Sequence, residues 1–464
     1  MSPAHFARRA EKLQPSSIRK MMIIAKRLIS EGRTVFELNI GQPDVPCIPV
    51  FLDAIAARGR EGRLNYAPFI GENCLRQAYA RYLNDHFDRR GAQHLVVDSE
   101  NVLVTCGASH ALTSTFLSIC DPGDEILCVE PFFPPYTGFL GIADGVLRSI
   151  PTYAEQGFAL PTIEEMERYI TPKTRALLFT SPSNPSGKIL SPQEVTRLAR
   201  LALKFDIFLI ADEVYREMVL GDREAFSILQ VDLEPAEMER LKHRIIVIDS
   251  ASKAFSLCGA RIGFVISRPE IIQKISLVNA HTVACVSDIL QHGVAVAYEH
   301  VIKNPSFFTE LRRTYRERLE AAMEAIHKYL PWAIVPRPDG AFYVMIQFPE
   351  IEDITEYCLF MLEKFNVDNE TVAVTPAASF YLSPGRGRNE MRLALVVSPE
   401  KIKRSIFIMA EAYKAYKAYL KEQGKDIVAQ NSRRLSNNDR GYINQENPSD
   451  CTGCAGYSVE AIVE

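Results

Sequence analysis

A single lysine, Lys253, stands in the stretch SASKAFSLCGARIG, which runs from Ser250 to Gly263. Small residues flank this lysine, and Arg261 follows eight positions later. An apolar, β-branched run at 245–249 precedes the stretch and is typical of a buried strand. A lysine amine can form a Schiff base with an aldehyde, and an arginine can bind a phosphate group. The setting therefore indicates a lysine that holds a cofactor rather than a solvated surface side chain.

Other strand-like runs recur along the first two thirds of the chain. The predicted strands span 101–105, 125–129, 174–180, 207–211, 245–249 and 263–267. Helical patterns separate several of them, and Ser191 with Glu194 and Thr162 with Glu165 form capping boxes that mark helix starts. Apolar strands that alternate with helices predict an α/β fold with a mostly parallel, doubly wound sheet covered on both faces.

The pattern changes after residue 305. A charged helix, two strand-like pieces and a final helix are predicted at 310–329, 341–348, 371–375 and 399–420. This order is typical of a smaller α+β domain. We expect four regions: an N-terminal arm that contributes to the smaller domain, a large cofactor-binding domain, the small domain, and a polar, disordered tail. They span 1–48, 49–304, 305–422 and 423–464.

The composition excludes several classes of function. The 464 residues are 47% hydrophobic and 24% charged, as in ordinary globular proteins, and the net charge of −4 gives no footprint for nucleic acid or an anionic membrane. No apolar run approaches the roughly 20 residues that span a bilayer, and no signal peptide is visible. We therefore expect a cytoplasmic protein. Of ten cysteines, only Cys451 and Cys454 form a CxxC pair, which we interpret as incidental. No metal site is predicted.

The residues that follow the predicted strands form a chemical set. They are Gly107, Ala108 and Ser109 after 101–105, Phe133 after 125–129, Asn184 after 174–180, and Asp212 and Tyr215 after 207–211. Ligands of α/β sheets bind at these strand ends, and a glycine turn into a helix suits a phosphate. A carboxylate keeps a pyridine nitrogen protonated, and an aromatic ring can stack on the pyridine. Together with the lysine, the set predicts a pyridoxal-phosphate site, with Phe132 as the alternative stacking residue.

These motifs resemble those of the class I/II aminotransferases, which share the aspartate-aminotransferase fold, the pyridoxal-phosphate-dependent transferase fold type I. The stretch Ser250–Gly263 fits the lysine signature of that family, and the resemblance covers roughly residues 15–420. Further matching segments are NIGQPD at 39–44, YAPFIG at 66–71, NPSG at 184–187, ADEVY at 211–215, PDGAFY at 338–343 and EMRL at 390–393.

The resemblance implies a role for each matching residue around the cofactor. Lys253 would attach pyridoxal phosphate through a Schiff base and later shuttle a proton. Asp212 would pair with the pyridine nitrogen, while Tyr215 and Asn184 would contact the ring oxygen O3′. Phe133 would stack on the ring. The phosphate would be held by Gly107, Ala108, Ser109, Ser250 and Arg261.

The resemblance also implies a substrate site and an assembly. Arg392, with Asn184 and the backbone of Gly41, would bind the substrate α-carboxylate. Tyr66 would reach the phosphate in the neighbouring subunit, which implies a homodimer with shared sites. Some bacterial aspartate aminotransferases carry a lysine at the position of Ser109, where it binds a second substrate carboxylate. The serine weakens an assignment to aspartate.

Three functions are compatible with these residues to different degrees. The resemblance favours an aminotransferase (EC 2.6.1.-) that moves the amino group of an L-amino acid to a 2-oxo acid by a ping-pong mechanism. The alternative is a pyridoxal-phosphate-dependent lyase or synthase on the same fold, such as a C–S lyase or an aminocyclopropane-carboxylate-synthase-like enzyme. A DNA-binding regulator is disfavoured because the chain before Asn39 is too short for a winged helix. The cofactor-binding residues do not identify the amino acid.

Overall fold

The computed structural model describes residues 6–7, 10–11, 17–221 and 224–424. The predicted tail beyond residue 424, with Cys451 and Cys454, lies outside the described residues. The strands are β1 (Thr34–Glu37), β2 (Val102–Thr105), β3 (Glu125–Val129), β4 (Val146–Ile150), β5 (Thr174–Thr180), β6 (Phe208–Asp212), β7 (Ile245–Ser250), β8 (Gly263–Ile266), β9 (Tyr343–Gln347), β10 (Glu370–Ala373), β11 (Thr375–Pro376) and β12 (Glu390–Ala394).

Helices surround these strands. They are α1 (Ser17–Ser30), α2 (Pro49–Arg60), α3 (Asn73–Arg89), α4 (Gly107–Ile119), α5 (Pro135–Ile142), α6 (Ile163–Glu167), α7 (Pro192–Phe205), α8 (Pro235–Lys242), α9 (Ala251–Ala254), α10 (Pro269–Val283), α11 (Asp288–Lys303), α12 (Ser306–Tyr329), α13 (Ile354–Leu359) and α14 (Pro399–Glu422). Among the described residues, no helix has both the length and the apolar character that a membrane crossing requires.

A seven-stranded sheet forms the centre of the fold, in the order β2-β8-β7-β6-β5-β3-β4. All of its strands run parallel except β8, which is antiparallel to both β2 and β7. Alternate residues of β5 enter two different cores: Leu177 and Phe179 pack in one, Ala176 and Leu178 in the other. Because side chains alternate along a strand, both faces of the sheet are buried under helices. This confirms the predicted mostly parallel, doubly wound sheet.

Two details of the sheet differ from the sequence expectation. Strand β4 was not predicted, because it lies at the sheet edge and carries the polar residues Arg148 and Ser149 in a half-buried run. Strand β6 is shifted by one residue from the predicted 207–211, so Asp212 is its last residue rather than the first residue after it. The carboxylate is therefore fixed by the strand itself.

The predicted helix starts are present. Ser191 Oγ accepts the backbone N–H of Glu194 at 3.2 Å, and the Glu194 carboxylate accepts the backbone N–H of Ser191 at 2.8 Å. Thr162 and Glu165 form the same reciprocal pair at the start of α6. These caps satisfy N–H groups that the first turn of a helix leaves unpaired.

The rest of the chain forms two small sheets. Strands β11, β12 and β9 pair antiparallel in that order, and β1 pairs parallel with β10. In the register of the three-stranded sheet, Arg392 of β12 lies between Thr375 and Met345. The pairing of β1 with β10 joins the N-terminal arm to this part of the chain, and on that basis we propose the domain division at residues 48 and 304.

Candidate active site

A cavity of about 310 Å³ lies beyond the carboxyl ends of β5, β6 and β7, between the central sheet and β12. Most of the predicted site residues line it. They are Gly41, Ala108, Ser109, Phe133, Asn184, Asp212, Tyr215, Ser250, Lys253, Arg261 and Arg392. Residues separated by up to about 350 positions in sequence thus meet in one place, as expected where parallel strands end at a common edge.

Lys253 extends from the single-turn helix α9 into the cavity. Ser250 caps this helix by accepting the backbone N–H of Ser252 at 3.1 Å. The Lys253 Nζ donates to the backbone oxygen of Gly41 at 2.6 Å and lies 3.7 Å from Cys258 Sγ. Within the described part of the chain it pairs with no carboxylate. The amine is therefore placed to react with a bound group rather than to serve in an ion pair.

Asp212 is a buried carboxylate that neutral donors bind. Its Oδ2 accepts the hydroxyl of Tyr136 at 2.5 Å, and its Oδ1 accepts the backbone N–H of Val214 at 3.4 Å. Burial raises the pKa of Asp212 to about 6, although the bond from Tyr136 lowers it. No described residue forms an ion pair with Asp212. A protonated pyridine nitrogen would supply the missing positive charge, so this side chain fits the cofactor.

The N-terminus of α4 and Arg261 form one corner of the cavity. Gly107 has a positive φ of 76° and opens the helix, whose first N–H groups have no intrahelical partner. The Arg261 guanidinium lies over this turn and donates to the backbone oxygens of Cys106 at 3.3 Å and Cys258 at 3.2 Å. A Cβ on Gly107 would approach Arg261 Nη2 to 2.5 Å. The positive φ and this close approach favour glycine where α4 and Arg261 meet, and the corner fits a phosphate.

Arg392 is a buried cation with no carboxylate partner among the residues that the structure describes. It is 1% exposed, and its Nη1 donates to Asn184 Oδ1 at 2.8 Å while Nη2 donates to the backbone oxygen of Asn39 at 2.9 Å. Its Nε is buried with no partner among the described atoms, and burial lowers its pKa. The Tyr343 ring lies 4.3 Å from the guanidinium carbon. This arrangement fits a small carboxylate that enters the cavity.

Comparisons with known proteins agree with this geometry. The family profile described as aminotransferase class I and II matches residues 33–406. The chain belongs to this family. It is an enzyme that transfers amino groups.

Several relatives cover nearly the whole described chain. An aspartate/prephenate aminotransferase from Thermus thermophilus is 30% identical, with 86% of this chain and 96% of that one aligned. An aspartate aminotransferase from Thermotoga maritima is 29% identical, with 86% and 97% aligned. The solved structure of the Thermus thermophilus aspartate aminotransferase with maleate superposes with a TM-score of 0.78 at 28% identity, covering 88% of this chain and 100% of that one.

Phe133 and Phe132, the two predicted stacking candidates, take different positions in this aminotransferase. Phe133 lines the cavity and meets Tyr136 edge-on, with ring centroids 5.6 Å apart. Phe132 is instead buried in the core beneath α5. The Tyr215 hydroxyl lies 2.8 Å from that of Tyr343. The geometry thus favours Phe133 as the residue that faces a bound ring.

Sequence reasoning left several residues that line the aminotransferase cavity unassigned, among them Tyr136, Cys258 and Tyr343. All three stand in or beside segments that were recognised for other reasons: Tyr136 three residues after Phe133, Cys258 in the stretch Ser250–Gly263, and Tyr343 at the end of PDGAFY. A hydroxyl one helical turn beyond a candidate stacking ring was the available signal for Tyr136.

One predicted site residue, Tyr66, and two titratable neighbours of site residues, His110 and Glu213, do not line the cavity. Tyr66 is 91% exposed and does not line the cavity of its own chain. His110 bonds Cys106 and Thr282, and burial lowers its pKa. Glu213 accepts two bonds from the buried Arg216 guanidinium. In the described ranges, no three histidine, cysteine or acidic residues cluster as a metal site would require.

Proposed function

We propose that this aminotransferase uses pyridoxal 5′-phosphate to move the amino group of an L-amino acid to a 2-oxo acid, in two half-reactions at one site. One observation carries the proposal. Asp212 and Arg392 are buried charges of opposite sign, neither has an ion-pair partner among the described residues, and both line the cavity that holds the Lys253 amine. A protonated pyridine ring and a substrate α-carboxylate provide the two missing counter-charges.

Each side chain has a defined role in this proposal. When bound, the cofactor accepts the electron pair of the broken Cα–H bond and carries the amino group between the half-reactions. Lys253 would hold the cofactor, and its released amine would take the proton from Cα and deliver it to C4′ of the cofactor. Asp212 keeps a proton on the ring nitrogen, and Tyr215 and Asn184 orient the ring oxygen O3′. Phe133 covers one ring face.

The phosphate would be bound at the corner of the cavity by Arg261, Ser250 and the N–H groups of Ala108 and Ser109. The proposed anchor of the substrate is Arg392. Its two Nη atoms already hold Asn184 and Asn39, so the planar guanidinium is fixed before a carboxylate arrives. A fixed, forked donor orients a carboxylate in two directions at once. With the carboxylate held there and at the Gly41 backbone, the Cα–H bond would face the Lys253 amine.

The charges that line the cavity bear on which substrate side chain the enzyme accepts. Two relatives are named for aspartate, but the three cations that line this cavity, Lys253, Arg261 and Arg392, already bind the cofactor or the α-carboxylate in this proposal. Ser109 offers no fourth positive charge. A second substrate carboxylate would therefore be buried without a cation from the described chain, which is costly. We propose that an uncharged side chain is preferred.

The experiment is a half-reaction with one amino acid and no 2-oxo acid. Amino-group transfer should convert the bound cofactor once to pyridoxamine phosphate and release one equivalent of 2-oxo acid. Lys253→Ala should show neither product while its circular dichroism and thermal unfolding stay like those of the wild type. Continuous release of ammonia from the amino acid would instead support a lyase. Comparing asparagine with aspartate, which differ in charge at nearly constant shape, tests the substrate class.

Localisation and assembly belong to the same proposal. We place the enzyme in the cytoplasm, on the basis of its single cysteines, which are scattered through the chain as in proteins of a reducing compartment. We further propose a homodimer in which Tyr66 completes the phosphate site of the neighbouring subunit. The 91% exposure of Tyr66 in the single chain supports this assignment.

A further inference from the structure

The carboxylate of Glu130, outside the cavity, bonds two distant parts of the chain. Glu130 directly follows β3 and is fully buried. Its Oε1 accepts the backbone N–H of Ser383 at 2.8 Å and also that of Leu382. The same oxygen accepts the hydroxyl of Ser149, on the neighbouring strand β4, at 2.7 Å. Glu130 forms no ion pair within the described ranges, so its buried charge serves these neutral donors alone.

On one side, the bonded segment leads to Arg392. Residues 377–383 directly follow β11, in which Thr375 is the register partner of Arg392. The hydroxyl of Tyr381 in this segment donates to the carboxylate of Glu390, two residues before Arg392. The ring of Phe380 lies 5.2 Å from the Arg392 guanidinium carbon. The position of the segment therefore affects both the strand and the immediate surroundings of the arginine.

On the other side, Glu130 begins the turn that carries Phe133. The backbone N–H of Phe132 donates to the oxygen of Phe380 at 3.0 Å, so this turn and the segment 377–383 are joined a second time. Phe132 directly precedes Phe133, whose ring lines the cavity. These hydrogen bonds thus join the turn that carries Phe133 to the segment that leads to Arg392, and Glu130 is the acidic residue among them.

We propose that Glu130 is a positioning residue for the substrate carboxylate. Its carboxylate holds the segment 377–383 against the turn that carries Phe133. It thereby fixes the position of Arg392 relative to the bound cofactor. A charged acceptor suits this role because N–H bonds to carboxylates are stronger than those to neutral oxygens. The inference rests on the proposed function, since it assigns to Arg392 the α-carboxylate of an amino acid.

The test compares Glu130→Ala and Glu130→Gln with Ser149→Ala in the cofactor-loaded enzyme. The serine variant is the matched control, because it removes a hydrogen bond to the same Glu130 oxygen and leaves the bonds to the segment 377–383 in place. Two readouts are taken: hydrogen exchange of the backbone amides of 380–386 by mass spectrometry, and the separate kcat and KM of the amino-acid half-reaction.

In Glu130→Ala, we expect exchange at Leu382 and Ser383 at least about tenfold faster than in the wild type, because both amides lose a charged acceptor. The KM of the amino acid should rise at least about fivefold, while kcat stays within about twofold. Glu130→Gln should shift both readouts in the same direction by less, since its amide oxygen is a weaker acceptor. Ser149→Ala should resemble the wild type.

Three results would overturn the inference. These are faster exchange with an unchanged KM, a loss confined to kcat, or a Ser149→Ala variant that behaves like Glu130→Ala. If the alanine variant does not fold, the nearly isosteric glutamine variant decides between the same outcomes. A wild type without any half-reaction would refute the proposed function instead, and the exchange measurement would still report whether Glu130 holds the segment.

Discussion

At the scale of single residues, Asp212 links the chemistry of the site to the stability of the fold. Burial raises its pKa from 3.8 to about 6, so the folded apoprotein binds this proton more tightly than the unfolded chain does. The free energy of unfolding should therefore fall as the pH rises through this range. Between about pH 4.5 and about pH 7.5, we expect the apoprotein to lose about 2 kcal/mol more than an Asp212→Asn variant.

Urea denaturation of both apoproteins at the two pH values measures this difference. The asparagine variant serves as its own control for all other titrating groups, since only one carboxylate is changed. Adding pyridoxal phosphate at the higher pH should stabilise the wild type more than the variant, because the protonated ring pairs with the ionised carboxylate. Parallel pH profiles for the two apoproteins would contradict the assignment of a cation-free buried carboxylate.

Arg392 should fail in a different way from Asp212. A carboxylate anchor contributes before and during the reaction, so Arg392→Ala should act mainly through KM. Loss of a forked pair in a buried site costs about 2–5 kcal/mol, and kcat/KM for amino acids should fall at least about thirtyfold. The decarboxylated amine of the same amino acid should be much less affected. Steady-state kinetics with such a pair decide, and equal losses for acid and amine would exclude Arg392 as the anchor.

The residues that could be predicted are those whose type is itself the function. Lys253 and Asp212 could be assigned because a Schiff base needs an amine and a pyridine nitrogen needs a carboxylate, whereas Arg392 was assigned through the resemblance of EMRL at 390–393. The structure brings all three into one cavity. The bond from Tyr136 to Asp212 and the contacts of Glu130 could not be predicted. They depend on how α5 and the segment 377–383 pack, and no local sequence pattern predicts that packing.

At the scale of elements, the entry into α4 is the most constrained turn of the site. Gly107→Ala would place a methyl group 2.5 Å from Arg261 Nη2 at a backbone φ of 76°. The arginine must then move away from the phosphate corner, so the dissociation constant for pyridoxal phosphate should rise at least about tenfold. Gly259→Ala is the matched control, because a Cβ at that position would have no described atom within 4 Å beyond its neighbours along the chain. Equal affinities of the two variants would contradict the proposed corner.

The helices and strands that could be predicted are those that the local sequence determines most strongly. The central strands are apolar throughout because both faces are buried, and the two capping boxes fix helix starts by bonds three residues apart. Strand β4 pairs only with β3 and has one buried residue, Ile150, so its sequence carries little signal. Strand β8 is antiparallel because the connection 251–262 returns to the same end of the sheet, where Ser250 pairs with Gly263, and the apolar character of a strand alone does not indicate its direction.

At the scale of the whole molecule, the exposed side chains near Tyr66 form the surface at which we propose that a second subunit packs. Leu64 and Tyr66, two residues apart, are 76% and 91% exposed in the single chain, and a partner could cover both. We predict a homodimer with an interface in the obligate class, above about 2,000 Å². Sedimentation should show the dimer at micromolar concentration, and an active monomer would contradict it.

A shared site makes a stricter prediction for mixed dimers. Lys253→Ala and Tyr66→Ala chains should each be nearly inactive alone. In a hybrid dimer, one site combines both defects, while the other has an intact lysine and an intact tyrosine from the opposite chain. After subunit exchange at equal amounts, half of the dimers are hybrids with one working site of two, so activity should recover to about a quarter of the wild-type value. If each chain completes its own site, mixing restores nothing, and Tyr66 must then be assigned a role within its own subunit.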